Sequence, residues 1–411
     1  MAIIVQKFGG TSVANAEKIR NAARRAAAGH DRGDKIVIVA SARGKQTDIL
    51  VDDAYELSEN PPKREMDQLL STGEVQTVSL IAIALDSMGY KAISMTGGQI
   101  RMITDSSHSK ARIESIDADV IHEKLDQGYI VVVAGFQGID ENGNTTTLGR
   151  GGSDTSAVAI AAALKANQCE IYTDVDGVYT TDPRKYSKAV KIHQISYDEM
   201  LEMASLGAGV MHGRAIEFGK KYGVEIQVRS SSENIEGTLI THEVPQMEGI
   251  LVSGATVQTD LAKITLISVP NTPGNAASIF SALAAAKISV NDIIQTEIGD
   301  DTANLSFTIN KTDLADAQKT IKKVKGETQY RDMFVREDIA EVSAVGIGMR
   351  THYGVANTMF NALANARINI DSITTSEIRI SCIVDKEQAQ KALEVICDAF
   401  QLDKEPADRS M

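Results

Sequence analysis

Tryptophan is absent from the 411 residues, cysteine occurs three times, proline seven times, and aromatic residues make up only 4%. Cys169, Cys382 and Cys397 are scattered, odd in number and never spaced as CxxC. That excludes a disulfide framework and fits a reducing, cytoplasmic setting. The seven histidines show no ligand spacing, so no protein-built metal site is expected. Basic charge is scarce: 42 Lys and Arg against 55 Asp and Glu leave a formal net charge of −13. That sign disfavours nucleic acid as a partner. No apolar run reaches the roughly 18 residues that a membrane helix needs. The N-terminus lacks the charged-then-apolar order of a signal peptide. What remains is a soluble globular class with 43% hydrophobic and 24% charged residues, long enough for more than one domain.

Against these absences stands Gly149 to Ala157, Gly-Arg-Gly-Gly-Ser-Asp-Thr-Ser-Ala. Gly151 and Gly152 remove the side chains that would hold a ligand off the backbone. Ser153 and Asp154 are read as caps of a helix beginning at Thr155, whose first-turn amides and dipole suit an anion. Arg150 adds a planar cation that matches a carboxylate or phosphate. Five apolar runs, at 2–8, 35–40, 91–95, 129–134 and 169–172, each exit into small, Gly-containing loops. Their continuous hydrophobicity predicts parallel strands covered on both faces, with ligands bound beyond the strand ends. Pro61-Pro62 predicts a helical region, punctuated at Ser71-Thr-Gly-Glu74 before a further helix to Met88.

The texture changes near residue 245, after which the chain repeats itself. Residues 273–291 align without a gap on 353–371, matching Gly274 with Gly354, Phe280 with Phe360, Leu283 with Leu363 and Ile288 with Ile368. Each copy reads as a βαββαβ unit, ferredoxin-like in layout, and two small copies behind a large α/β domain suggest regulation.

The segments Lys7 to Val13, Thr147 to Ser156 and Thr173 to Arg184 together resemble the signatures of aspartate kinase, and the paired repeats resemble its ACT domains. The resemblance spans nearly the whole chain. It implies an amino-acid-kinase fold, an open and mainly parallel sheet in an αβα sandwich, over 1–245. Two ferredoxin-like ACT domains follow over 262–335 and 338–411, with a strand over 249–257 assigned to the second. The implied reaction moves the γ-phosphoryl of MgATP to the β-carboxylate of L-aspartate, with ATP and Mg²⁺ required. By the same resemblance Lys7 and Asp154 are catalytic, and Ser41, Thr47, Glu74, Arg150, Gly151, Gly152 and Ser153 bind aspartate. Lys7, Phe8, Gly9, Gly10, Thr173, Asp174, Tyr179 and Arg184 would bind ATP. The alternative for Glu74 is a helix N-terminal glutamate, stabilised there by the dipole alone.

The ACT resemblance implies feedback by lysine and threonine. The candidate effector residues are Asn271, Gly274, Asn275, Ala276, Asn291 and Gln295 in the first copy. In the second they follow the turn from Met349 to Gly354, as Asn369, Asp371, Thr375 and Glu377. One or both copies could instead serve only as an interface. A homo-oligomer, or an α2β2 enzyme with a second product starting at Met247, is implied as well. Arg43, Gly98, Gly209, Gly213 and Tyr353 depart from the family pattern. No Walker A sequence occurs, and the segment before Gly207-Ala-Gly209 reads helical, against a dinucleotide loop. The rival readings are another kinase on the same fold and a catalytically weak amino-acid sensor.

Overall fold

The computed structural model describes residues 1–207, 209–242, 252–299, 301–347, 349, 354–405 and 408–409. Met247, Tyr353 and most of the 349–354 turn lie outside the described residues. Two compact units emerge: Met1–Tyr179 with Lys191–Met247, and Thr180–Val190 with Glu248–Met411.

In the first unit eight strands form one sheet: Ile3–Phe8 (β1), Lys35–Ala40 (β2), Ala92–Met95 (β3), Ile130–Ala134 (β4), Gln168–Thr173 (β5), Gln194–Ser196 (β6), Ile226–Ser230 (β7) and Thr238–Thr241 (β8). Their order is β6-β8-β7-β5-β1-β2-β4-β3. All neighbours are parallel except β7 and β8. Every residue of β4 is buried, as expected of a strand covered on both faces. Side chains alternate along β1. Phe8 joins the core formed with helices Ala16–Asp31 (α1) and Lys63–Asp86 (α3, which follows Gln46–Leu57, α2), so Lys7 points to the other face, where Gly152–Ala163 (α4) lies against β1.

Two expectations are corrected here. Helix α3 runs unbroken through Ser71–Glu74, because Ser71, Thr72 and Thr77 bond their hydroxyls back to carbonyls of the same helix. Gly73 stops nothing; a Cβ there would lie 2.8 Å from that of Ala42, so it lets the helix approach the loop after β2. Helix α4 begins at Gly152, and its N-cap is Gly151, which has no side chain to cap with. Ser153 and Asp154 thus sit inside the first turn instead of capping it. Although α3 is 24 residues long and apolar enough to cross a membrane, it packs on α1 and buries Asp67 and Glu74. It is a core helix.

The second unit contains both repeats. The first pairs Leu261–Pro270, Ile293–Gly299, Thr302–Asn310 and Asp332–Arg336 into one sheet. The second pairs Ile339–Val345, Ser372–Thr375 and Arg379–Asp385. Its fourth strand is Gly254–Gln258, antiparallel to Ile339–Val345, so the chain supplies it from ahead of the first repeat. Ile339–Val345 is buried throughout and needs a partner on each edge. Gly274 and Gly354 open the two matching helices, Asn275–Ala285 and Val355–Asn365, at φ 108° and 110°. Residues 180–190 also belong to this unit. Thr180 accepts from the Ala255 amide at 2.7 Å, and the Tyr186 hydroxyl donates to Asp398 at 2.6 Å.

Candidate active site

Strands β5, β1 and β2 run parallel and finish together, so the loops after them share one edge of the sheet. Lys7, one residue from the end of β1, reaches Asp154 with Nζ 2.5 Å from Oδ1. Their side chains are 11% and 13% exposed, and the contact is an ion pair without the angles of a hydrogen bond. Asp154 lies in the first turn of α4, where the helix dipole also favours its charge. A Cβ on Gly9 would sit 3.5 Å from Lys7 Nζ, and one on Gly10 would lie 2.7 Å from the Ala42 carbonyl oxygen. The backbone is therefore bare beside the lysine, and Phe8 stacks on Tyr172 beneath it with ring centroids 4.7 Å apart.

The Gly149–Ser153 loop closes on this edge. Gly151 adopts φ 65°, and a Cβ on it would lie 2.2 Å from that of His212; only glycine meets both demands. Gly152 is similarly crowded by Phe136 and Leu148, and Ser153, 8% exposed, abuts Gly135. Arg150 is exposed and forms no ion pair among the described residues.

Beneath the Ser41–Arg43 loop lies Glu74, mid-way along α3 and 3% exposed. That position removes the dipole explanation of this residue, since the dipole acts only within the first turn. Its Oε1 accepts from the Ala42 amide at 3.0 Å, while Oε2 is buried and has no partner among the described residues. Burial dominates, opposed by the Ala42 hydrogen bond, and pushes the carboxyl up to about 7. Ser41 is tied to the end of β1 through its amide on the Phe8 carbonyl at 3.1 Å. Thr47 lies in the first turn of Gln46–Leu57. At the end of β5, Thr173 donates to Asp174 at 3.1 Å, and the Tyr179 hydroxyl donates to Asp176 at 2.9 Å. Burial, then Asp176, pushes the Tyr179 phenol up to about 12. Arg184 belongs to the second unit, where it forks onto Asp182 at 2.9 Å.

Three residues were not among the sequence expectations. Asp67, fully buried, accepts from Thr147 Oγ1 at 2.5 Å and from the Ser109 amide, and contacts His108 Nδ1 at 2.8 Å. Arg214 donates to the Leu148 carbonyl at 2.9 Å and that of Ala111 at 2.8 Å. Together they clamp the strand leading into the Gly149–Ser153 loop, and His212 packs over Gly151. Their partners are far off in sequence, so no local pattern marks them.

In the first repeat, Gln295 Nε2 donates to Asn271 Oδ1 at 3.1 Å across the turn that opens at Gly274. Asn275 turns its amide to the Pro270 carbonyl at 2.8 Å, Ala276 is in the first helical turn, and the Asn291 amide donates to Thr308 at 2.8 Å. In the second, Asn369, Thr375 and Glu377 are exposed. Asp371 instead pairs with Lys263 at 2.5 Å and Arg336 at 3.3 Å.

The amino acid kinase family model matches residues 2–230, and ACT domain models match 263–327 and 342–400. The chain is 49% identical over 402 residues to an aspartokinase of Bacillus sp. (strain MGA3), covering 98% of both. The chain belongs to the aspartate kinases. It is a phosphotransferase that passes the γ-phosphoryl of ATP to the β-carboxylate of L-aspartate, giving 4-phospho-L-aspartate. Aspartokinase 2 of Bacillus subtilis is 47% identical over 407 residues, covering 99% of this chain and 100% of the relative. Aspartokinase III of E. coli, solved with aspartate and ADP in the R-state, superposes with a TM-score of 0.80 at 25% identity, covering 97% of this chain and 100% of that one. The same enzyme with lysine and aspartate in the T-state gives 0.77 at 26%, covering 96% and 99%.

Proposed function

We propose that Lys7 and Asp154 carry phosphoryl transfer and that the repeats impose feedback by lysine and threonine. The observation behind the first part is the buried Lys7–Asp154 pair at the strand edge, beside the uncovered backbone of Gly9 and Gly10. A carboxylate is already a competent nucleophile, so the enzyme's work is to bring two anions together and to stabilise charge on the phosphoryl oxygens. Lys7 supplies that charge, and Asp154 holds its ammonium in place. The first-turn amides of α4 add donors. Arg150 grips a carboxylate of aspartate, Glu74 takes its α-ammonium group, and Ser41, Thr47 and Ser153 complete the contacts. The backbone of Phe8, Gly9 and Gly10, with Thr173, Asp174 and Tyr179, faces the nucleotide. Mg²⁺ carried on the phosphates of ATP would neutralise their charge there.

Lysine as effector is supported by the lysine complex of E. coli aspartokinase III; threonine rests on the family resemblance. Pairing with a second copy is supported by the edge strand Ile293–Gly299, on which Ile293 is 53% and Ile298 49% exposed. A cytoplasmic setting suits three buried, free cysteines. The test is acyl phosphate trapped as hydroxamate, with aspartate and with glutamate, in the presence of lysine, threonine or both. Turnover of aspartate and inhibition by an effector support the reading. Binding without turnover would leave only a sensor.

A further inference from the structure

The face of the sheet opposite Lys7 holds a cavity. Gln6 alternates with Lys7 along β1 and so points towards α1, where a pocket of about 530 Å³ opens. Arg24, Arg25 and Arg32 line it from α1, Glu170 and Tyr172 from β5, and Arg229 from β7. Its volume is that of a small-molecule site.

Charge inside it is unbalanced. Glu170 is spent on Arg229 at 2.7 Å, and it accepts from Gln6 Nε2 at 2.8 Å and the Tyr172 hydroxyl at 3.0 Å. Arg24 bonds only neutral Asn21, and Arg25 bonds the Glu233 carbonyl oxygen; neither meets a carboxylate among the described residues. Among the described residues Arg32 pairs with Asp34 alone, at 3.8 Å. A chain of net charge −13 thus gathers unneutralised guanidinium groups around one cavity. A second observation is independent of charge. Gln6 is 3% exposed, and its Oε1 has no partner among the described residues. Because Nε2 must face the Glu170 carboxylate, the amide cannot turn to hide that oxygen. A buried acceptor left this way calls for a donor.

We propose that this pocket is an anion site, separate from the catalytic edge, for a small organic phosphate carrying hydroxyl groups. The arginines take the phosphate through charge-assisted, forked hydrogen bonds, and a ligand hydroxyl donates to Gln6 Oε1. A nucleobase is not required. Tyr172 is stacked by Phe8 with ring centroids 4.7 Å apart, and the Arg25 guanidinium lies 5.0 Å from its centroid, leaving no free aromatic face for a base.

The test is calorimetric titration of the full chain, with MgADP and aspartate saturating the catalytic edge, using ribose 5-phosphate and inorganic pyrophosphate as probes. Ribose 5-phosphate should bind saturably, more tightly than pyrophosphate, and more weakly as salt is raised. The double variant R24Q/R25Q should bind it about tenfold or more weakly, as expected for two lost charged contacts, with kcat unchanged. Arg24→Gln alone, at an exposed position, gives the same direction should the double variant fold poorly. No saturable heat from either probe, or undiminished binding in both variants, overturns the site. Equal affinity for the two probes overturns the role of Gln6.

Discussion

Replacing Glu74 by Gln separates the cost of a buried charge from its use. In the free enzyme this carboxyl is 3% exposed, has one amide donor and titrates at about 7, whereas in the unfolded chain it titrates near 4.5. Between those values the native state keeps a proton that the unfolded state has released. Stability therefore falls as pH rises from about 4.5 to about 7, and the full cost, about 3 kcal/mol, is present above 7. Gln keeps an oxygen for the Ala42 amide but carries no charge. At pH 8 the substrate-free variant should be more stable by about 1–3 kcal/mol, a rise in Tm of several degrees, whereas near pH 4.5 the two proteins should melt alike. The opposite is expected of binding. The α-ammonium group of aspartate supplies the missing partner, so the variant's KM for aspartate should rise about tenfold or more, with KM for ATP unchanged. In the native enzyme KM for aspartate should fall from pH 6 to pH 8 as Glu74 ionises. Scanning calorimetry at pH 4.5, 6.5 and 8 with initial rates tests both halves. A stability difference that does not vary with pH would refute the strained charge, and an unchanged KM for aspartate would refute the ammonium contact.

Lys7→Ala should lower kcat by roughly 10²-fold or more, as loss of a preorganised charge does; a variant changed only in KM would remove Lys7 from the chemistry. Gly151→Ala must accept φ 65° and a Cβ 2.2 Å from that of His212, so aspartate binding should collapse, and His212→Gly in the same chain should restore part of it, read from KM. Asp67→Asn leaves donors of the 108–109 segment and Thr147 poorly met; Tm and kcat/KM should both fall, with a stability loss of about 1–3 kcal/mol. Gln295→Ala removes the bond to Asn271 and should weaken inhibition by lysine and threonine at sub-saturating aspartate, within the ~1–3 kcal/mol typical of effector coupling.

The parallel sheet is legible because its strands are buried on both faces, so Ile130–Ala134 reads as an unbroken apolar run. The repeat is legible because Gly274 and Gly354 perform the same left-handed turn. What escapes the sequence depends on partners remote along the chain. Asp67 reaches 80 residues to Thr147, and Arg214 reaches 103 to Ala111; as single residues on helices they look like solvated charges. The glycines mark the boundary between the two kinds of information. Gly10, Gly73 and Gly151 stand alike in sequence as breaks or loops. In the fold Gly10 meets the carbonyl oxygen of Ala42, Gly73 meets its methyl from inside a helix, and Gly151 lies under His212. A glycine announces that the backbone comes close to something. Only the approaching element decides whether that closeness serves a turn, a helix contact or a ligand. For that reason Gly73 is misread as a helix stop, while Gly151, read as baring the backbone to a ligand, is found baring it to His212.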